Sequence, residues 1–300
     1  MNAAIIGLGL IGGSFARDLR DTGFASRIIG VENNPAHAEM ALKLGLVDEI
    51  MPLARAARSA DLVLVAIPVT ATAFVLKDIL DAIGSAAVVT DVGSTKHGIC
   101  LTVAGHPRRG RFVASHPIAG TENSGPAAAL PGLFRGKLGI LCDIEKSDPD
   151  AAQLVRNMYD AVGMRLLTMD SDNHDRHVAY VSHISHITSF VLATTVLEIE
   201  KNTTTIFDLA GSGFESTVRL AKSSPDMWTP IFMQNAPFVC EALDAYIRNI
   251  TRFKEMIERG SGQELHTTME QANEIRRVLS GMNGNGTTQG STTVNKERAE

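Results

Sequence analysis

The sequence is poor in cysteine, in aromatic side chains and in excess charge of either sign, and each shortage narrows what the chain can be. Three cysteines, Cys100, Cys142 and Cys240, are spread over 300 residues. An odd, widely spaced set offers neither a disulfide framework nor metal-ligand spacing, which points to a reducing compartment. Aromatic residues make up 5% of the chain and Trp228 is the single tryptophan, for which core packing is the default role. The formal net charge is −5, so no global basic field draws in nucleic acid or an anionic membrane. An anionic ligand must instead be held by locally placed cations or backbone N–H groups. No run of about twenty apolar residues offers a membrane span. The N-terminus passes directly into Ala3-Ala4-Ile5-Ile6 with no basic segment before it, so no signal peptide is expected and the chain is assigned to the cytoplasm. What is present is ordinary for a globular protein: 44% hydrophobic and 20% charged residues, enough to bury a sizeable core.

The first half alternates short apolar runs with helical patterns. Strands are expected at Ala3–Gly7, Arg27–Glu32, Leu62–Ile67, Ala87–Asp91, Phe112–Ser115, Lys137–Cys142 and Arg165–Met169. A helix is expected over Ile11–Arg20, and Asn34-Pro35 supplies the N-cap and first-turn proline of another that ends at Gly45. Leu62–Ile67 reads LVLVAI, the continuous apolar run of a strand buried on both faces. After about Asp170 long helical stretches replace strands: His174–Lys201, Met227–Ile257 and Glu264–Val278. The expected fold is a Rossmann-like, doubly wound parallel sheet over residues 1–169, then an all-α substrate and dimerisation domain over 170–280. The Gly-, Asn-, Thr- and Ser-rich end, 281–300, is expected to be disordered because it has almost nothing apolar to bury.

Gly7-Leu8-Gly9-Leu10-Ile11-Gly12 matches G-x-G-x-x-G. The pattern alone is weak, but here it follows a strand and opens a helix. Gly7 then permits the tight turn, Gly9 the approach of a pyrophosphate to the backbone, and Gly12 the close packing of helix on strand. Glu32 ends the second strand, twenty residues after Gly12. An acid there accepts hydrogen bonds from the adenosine ribose hydroxyls and repels a 2′-phosphate, and the next residues, Asn33 and Asn34, bring no Arg. NAD is therefore expected rather than NADP.

In an open parallel sheet, ligands sit beyond the carboxyl ends of the strands. Pro68, Ser94 and His116 fall at three such ends and should converge on the nicotinamide side of the cleft. His116 is the candidate catalytic base, because oxidising an alcohol needs an acceptor for the hydroxyl proton as hydride leaves, and a neutral imidazole suits that task; the plainer reading is a turn residue fixed by Pro117. Ser94 is placed to orient the ring or touch the cofactor amide. Asp91 is expected to cap its turn, and Lys96 to lie exposed in the first turn of a helix. His174, His177, His183 and His186 sit within thirteen residues. At helical spacing His174 and His177 share one face and His183 and His186 share another, so the four cannot meet, no H-E-x-x-H occurs, and no metal site is expected. Arg219 and Lys222 follow the Gly211–Gly213 break as either a carboxylate clamp or a solvated basic face.

Together these segments resemble the prephenate/arogenate (cyclohexadienyl) dehydrogenase family of tyrosine biosynthesis. The resemblance runs from about Ala3 to Val278 and rests on GLGLIGGS at Gly7–Ser14, DVGSTK at Asp91–Lys96, SHPIAGTENSG at Ser115–Gly125, HDRHVAYVSHISH at His174–His186 and RLAKSSPDMW at Arg219–Trp228. It implies NAD-dependent oxidation and decarboxylation of prephenate to 4-hydroxyphenylpyruvate. By that resemblance His116 takes the ring hydroxyl proton, Ser94 touches both this histidine and the cofactor, Arg219 binds a substrate carboxylate, and His186 and Glu122 recognise the side chain or gate the site. Trp228 would lie near the substrate. Arogenate-preferring relatives often carry Gln where this chain has His186, which leans the reading toward prephenate. Ser212, within an often pure glycine run, and Ser216, where some relatives have an acid, depart from the pattern. The resemblance also implies a homodimer. Rival readings are an arogenate dehydrogenase, another NAD-dependent hydroxyacid or imine dehydrogenase, and a non-catalytic NAD-sensing module, which would not need His116, Ser94 and Arg219 together.

Overall fold

The apolar runs at the head of the chain pair into one sheet. The computed structural model describes residues 1–121, 123–201 and 206–284. Its strands are β1 (Asn2–Ile6), β2 (Arg27–Val31), β3 (Glu49–Ile50), β4 (Leu62–Val65), β5 (Val88–Asp91), β6 (Phe112–Pro117), β7 (Leu138–Cys142) and β8 (Arg165–Met169), in the order β3-β2-β1-β4-β5-β6-β7-β8. The two-residue β3 is too short to leave a strand pattern in the sequence. All neighbours run parallel except β6 and β7, which pair antiparallel, so the expected doubly wound parallel sheet carries one reversal. The connection from β6 to β7 holds, among its described residues, only the 3₁₀ turn Pro126–Ala128 and no α-helix. Without a crossover helix the chain turns back beside the strand it has left. Thus β6 ends at the same edge as β1, β4 and β5, whereas β7 and β8 end at the opposite edge.

Helices α1 (Leu10–Asp21), α2 (Pro35–Lys43), α3 (Leu53–Ser59), α4 (Val69–Ala82), α5 (His97–Thr102) and α6 (Pro149–Ala161) cover the two faces. Alternation along each strand divides the core. Ala4, Ile6, Val63, Val65 and Val89 face Ala56, Leu76, Ile79 and Ile99. Ala3, Ile5, Leu62, Leu64 and Val88 face Phe15, Leu19, Val155 and Tyr159. Burial on both faces is why these strands read as unbroken apolar runs.

Beyond β8 the chain is helical: α7 (Ser171–Val178), a π turn (Ala179–His183), α8 (Ile184–Glu200), α9 (Ser212–Val218), a 3₁₀ turn (Arg219–Lys222), α10 (Pro225–Gln234), α11 (Ala236–Glu258), α12 (Gly262–Ala272) and α13 (Ile275–Gly284). The single helix expected over Met227–Ile257 is broken at Asn235, because Pro237 lacks an N–H and starts a new helix rather than continuing one. The structure forms two compact units, residues 1–242 and 243–300. In the second, Arg252 and Arg259 approach Glu264 at 3.5 and 3.4 Å around the turn at Gly260. Of the tail expected to be disordered, 285–300 lies outside the described residues. One described helical run, Ser171–Glu200, is long and apolar enough to cross a membrane by length and composition. That corrects the expectation that no segment would qualify: interspersed Ser, Thr and His hide the apolar character of the helix from a search for an unbroken run.

Candidate active site

The first glycine turn is built by steric necessity. Gly7 has φ +89°, and a Cβ there would lie 2.4 Å from the Ala66 carbonyl oxygen. A Cβ on Gly12 would lie 1.9 Å from the Gly7 carbonyl oxygen, so α1 can rest on the turn only with glycine at that position. Gly9 differs, since nothing lies within 4 Å of the position its Cβ would take. It is the N-cap of α1 and makes no side-chain cap, and the first backbone bond of the helix joins the Gly13 N–H to the Gly9 carbonyl. The N–H groups of Leu10, Ile11 and Gly12, at the positive end of the helix, therefore have no intrahelical acceptor, the arrangement that suits a phosphate. Glu32 reaches over the turn, one carboxylate oxygen accepting the Leu8 N–H at 3.1 Å and the other the Asn34 N–H at 3.0 Å. A carboxylate has about four acceptor positions, so lone pairs remain for ribose hydroxyls. Pro68 is exposed at the end of β4, where it caps α4. These residues fit a dinucleotide.

At the end of β6, His116 is partly buried. Its Nδ1 lies 2.9 Å from His174 Nε2, and His174 Nδ1 lies 2.7 Å from Asp175 Oδ1. The same Asp175 oxygen accepts the Lys96 N–H at 2.7 Å, and its other oxygen accepts the His97 N–H at 2.9 Å. Lys96 Nζ pairs with the Asp91 carboxylate and donates to the Ser115 carbonyl at 2.8 Å. A ring thus closes through Ser115, His116, His174, Asp175 and Lys96. Lys96 and Asp91 are both fully buried, which corrects the exposed lysine; Asp91 caps its turn as expected, its carboxylate accepting the Gly93 N–H at 2.9 Å, and it also holds Lys96. A lysine is almost never buried without a partner, and this one has a carboxylate and a carbonyl. Burial pushes the His116 pKa well below 6.5, assisted by His174, Lys96 and His183. Burial also lowers His174 against the opposing pull of Asp175.

The other histidines do not group as their spacing predicts. His174 and His183 are buried, His177 is exposed and His186 is half-buried. The π turn at Ala179–His183 adds a residue to one turn and rotates all that follows, so straight-helix arithmetic fails across it. His183 Nδ1 lies 3.1 Å from Asn235 Nδ2, which also donates to the Asp175 carbonyl at 2.7 Å. Burial takes the His183 pKa down to about 4. His186 Nδ1 donates to the Ser182 carbonyl at 3.1 Å, and its ring stacks on Trp228 with centroids 3.5 Å apart. Burial lowers its pKa, and Arg219 adds to the shift. Trp228 is buried against the same cluster as Val65 and Ile79, so it serves as core and as the floor under His186.

Arg219 is exposed. It lies in the 3₁₀ turn after α9, where it lines a cavity of about 380 Å³ with Ser212, Glu215, Ser216 and Lys222. Lys222 stands 3.8 Å from Glu215. Ser94 is partly buried in the loop between β5 and α5, and among the described residues its hydroxyl has no hydrogen-bond partner. Glu122 lies outside the described residues. The structure thus brings His116 together with Asp175 and Lys96, and through Asp175 with Asn235, none of which was expected at the site. The adjacent His174-Asp175 pair at a helix start was the available signal for the first of these.

Comparison with known proteins agrees with this geometry. Residues 15–168 match the model of the prephenate dehydrogenase nucleotide-binding domain, and residues 170–271 that of the prephenate dehydrogenase dimerization domain. The chain is 31% identical over 279 residues to prephenate dehydrogenase of Bacillus subtilis, covering 92% of this chain and 75% of that one. It is 30% identical over 278 residues to cyclohexadienyl dehydrogenase of Zymomonas mobilis, covering 92% and 95%. Among solved structures, prephenate dehydrogenase from A. aeolicus in complex with hydroxyphenyl propionate and NAD⁺ superposes with a TM-score of 0.85 at 32% identity, covering 93% of this chain and 98% of that one. Arogenate dehydrogenase of Synechocystis superposes at 0.74 with 27% identity, covering 93% and 100%. With both parts of the chain matched and the glycine turn, Glu32 and the buried histidines in place, the chain belongs to the prephenate dehydrogenase family.

Proposed function

We propose that the chain catalyses the NAD-dependent oxidative decarboxylation of prephenate to 4-hydroxyphenylpyruvate. The observation that carries this reading is a partly buried, neutral His116 at the strand edge beside the open glycine turn. Gly7 to Gly12, Glu32, Pro68 and Ser94 hold the cofactor, with the N–H groups at the start of α1 on its phosphates. NAD, when bound, supplies the hydride acceptor. His116 takes the hydroxyl proton of the substrate at Nε2 as the ring carbon becomes a carbonyl. The same imidazole returns the proton once loss of CO₂ has made that oxygen a phenolate, so no net proton is required. Arg219 engages a substrate carboxylate from the cavity it lines, and His186, Glu122 and Trp228 contact the side chain. The charge of Arg219 beside His186 supports this placement.

The same reading divides the chain into an NAD-binding part, 1–169, and a helical substrate and dimerisation part, 170–280. Exposed Val181, Val191, Leu197 and Leu209 leave an apolar surface on that helical part which suits a second copy of the chain better than water. We therefore expect a homodimer, seen as twice the chain mass in sedimentation; a monomer at micromolar concentration would contradict it. Free Cys100, Cys142 and Cys240 support a cytoplasmic setting.

Purified protein mixed with NAD⁺ and prephenate is expected to generate NADH absorbance and 4-hydroxyphenylpyruvate. Turnover of arogenate alone would move the assignment to that substrate. Folded, NAD-binding protein that oxidises neither would refute it.

A further inference from the structure

We propose that His174, held by Asp175, is the positioning residue that makes His116 a base at Nε2; the inference rests on the reading of His116 as the proton acceptor. The direction of the hydrogen bonds follows from what each atom can do. The Asp175 carboxylate only accepts, and its Oδ1 lies 2.7 Å from His174 Nδ1, so that nitrogen carries the hydrogen. In a neutral His174 ring Nε2 is then a lone pair, and it faces His116 Nδ1 at 2.9 Å. His116 Nδ1 must therefore donate, and its Nε2 is left unprotonated. A histidine side chain in water favours the opposite tautomer, with the hydrogen on Nε2, which cannot receive a proton from a hydroxyl. The tautomer is assigned from this chain of partners.

The competing arrangement has a charged His174 donating from Nε2, which would send the His116 hydrogen to Nε2 and disarm the base. Burial opposes it: His174 is fully enclosed and its pKa is lowered despite the adjacent carboxylate. Asp175 is fixed in turn by the backbone N–H groups of Lys96 and His97, and Lys96 is tied through Nζ to the Ser115 carbonyl, next to His116. The dyad is thus referred back to the strand that carries the base, so the ring planes are held by both parts of the chain. The charged groups facing the pair are Asp175 from α7, Lys96 and Asp91 from the β5 edge, and His183 from the π turn. When His116 gains a proton, its Nδ1–H already points along a path that ends on a carboxylate, which stabilises the imidazolium.

The test is ¹⁵N spectroscopy of the full chain labelled at histidine, with kinetics on the same samples. The wild-type protein should show His116 with hydrogen on Nδ1 and a bare Nε2. His174→Phe removes the acceptor. His116 should then revert to the Nε2–H tautomer, with kcat lower by about 100-fold or more and KM for prephenate changed little. His174→Gln can still present an amide oxygen to His116 Nδ1 and should keep the native tautomer and recover much of the loss. A wild-type His116 carrying its hydrogen on Nε2 overturns the proposal, and so does a His174→Phe protein with unchanged tautomer and kcat. A native Nδ1–H spectrum in a protein inert toward prephenate would support the positioning role and remove the substrate reading, so the two failures are distinct.

Discussion

His116→Asn is expected to lower kcat by at least about 100-fold while NAD binding stays near the wild-type value. The amide is close to imidazole in size and keeps a polar atom near His174, so the fold has no reason to change. What disappears is a nitrogen able to receive a proton. The pH dependence should identify the same group. The base works only when unprotonated, and burial holds its pKa well below 6.5 in the folded protein. Activity controlled by His116 should therefore be flat from pH 8 down to 6.5 and fall only at lower pH, as the ring gains its proton. In His116→Asn this acid limb should vanish. Wild-type-like kcat in the variant, or an acid limb at or above pH 6.5 that the variant abolishes, would contradict the depressed base described here. Fluorescence titration with NAD⁺ separates the chemical step from cofactor binding.

Lys96→Met should be among the most destabilising single changes in the molecule, by about 3–5 kcal/mol. The substitution leaves the Asp91 carboxylate fully buried with no countercharge and strips the Ser115 carbonyl of a donor. The Ser115 and Gly93 N–H groups still reach Asp91 at 3.2 and 2.9 Å, but two neutral donors do not replace an ammonium. The cost comes from the orphaned charge, so removing both charges together should restore most of it. Asp91→Asn/Lys96→Met is expected to unfold in urea much closer to wild type than Lys96→Met alone. A single variant within about 1 kcal/mol of wild type would show that the pair is solvated in solution. The double variant carries a second signature. Lys96 is one of the charges that lower the His116 pKa, so its removal should move the acid limb of kcat upward.

Much of the sheet was legible because its signals are local. A run such as LVLVAI needs two buried faces, and Gly7, Gly9 and Gly12 stand at fixed spacing in one strand-to-helix turn, where a Cβ on Gly12 would strike the Gly7 carbonyl. Glu32 was placed by the same logic, although its bonds to the Leu8 and Asn34 N–H groups show it also bracing the turn. The reversal at β7 was not legible, since it depends on the absence of a crossover helix rather than on any pattern within the strand. The fate of the helical histidines was misread in part because periodicity assumes an unbroken α-helix, and the π turn at Ala179–His183 shifts His186 relative to His174 and His177; the split between buried His174 and exposed His177 lies within α7 itself. Lys96 was misread for a related reason. Its partner Asp91 is five residues earlier, but strand, loop and helix start separate them, and only the folded edge brings the two charges into one dry space. Asp175 was hidden likewise, because its ligands are backbone N–H groups of a loop nearly eighty residues away.

The most direct measurement is a crystal structure of the protein with NAD⁺ and 4-hydroxyphenylpyruvate bound. The phenolic oxygen should lie about 2.6–3.2 Å from His116 Nε2, with Nδ1 still on His174 and the pyrophosphate on the N–H groups at the start of α1. An imidazole turned away from the ligand, or a dinucleotide seated anywhere but on the Gly7–Gly12 turn, would contradict the account.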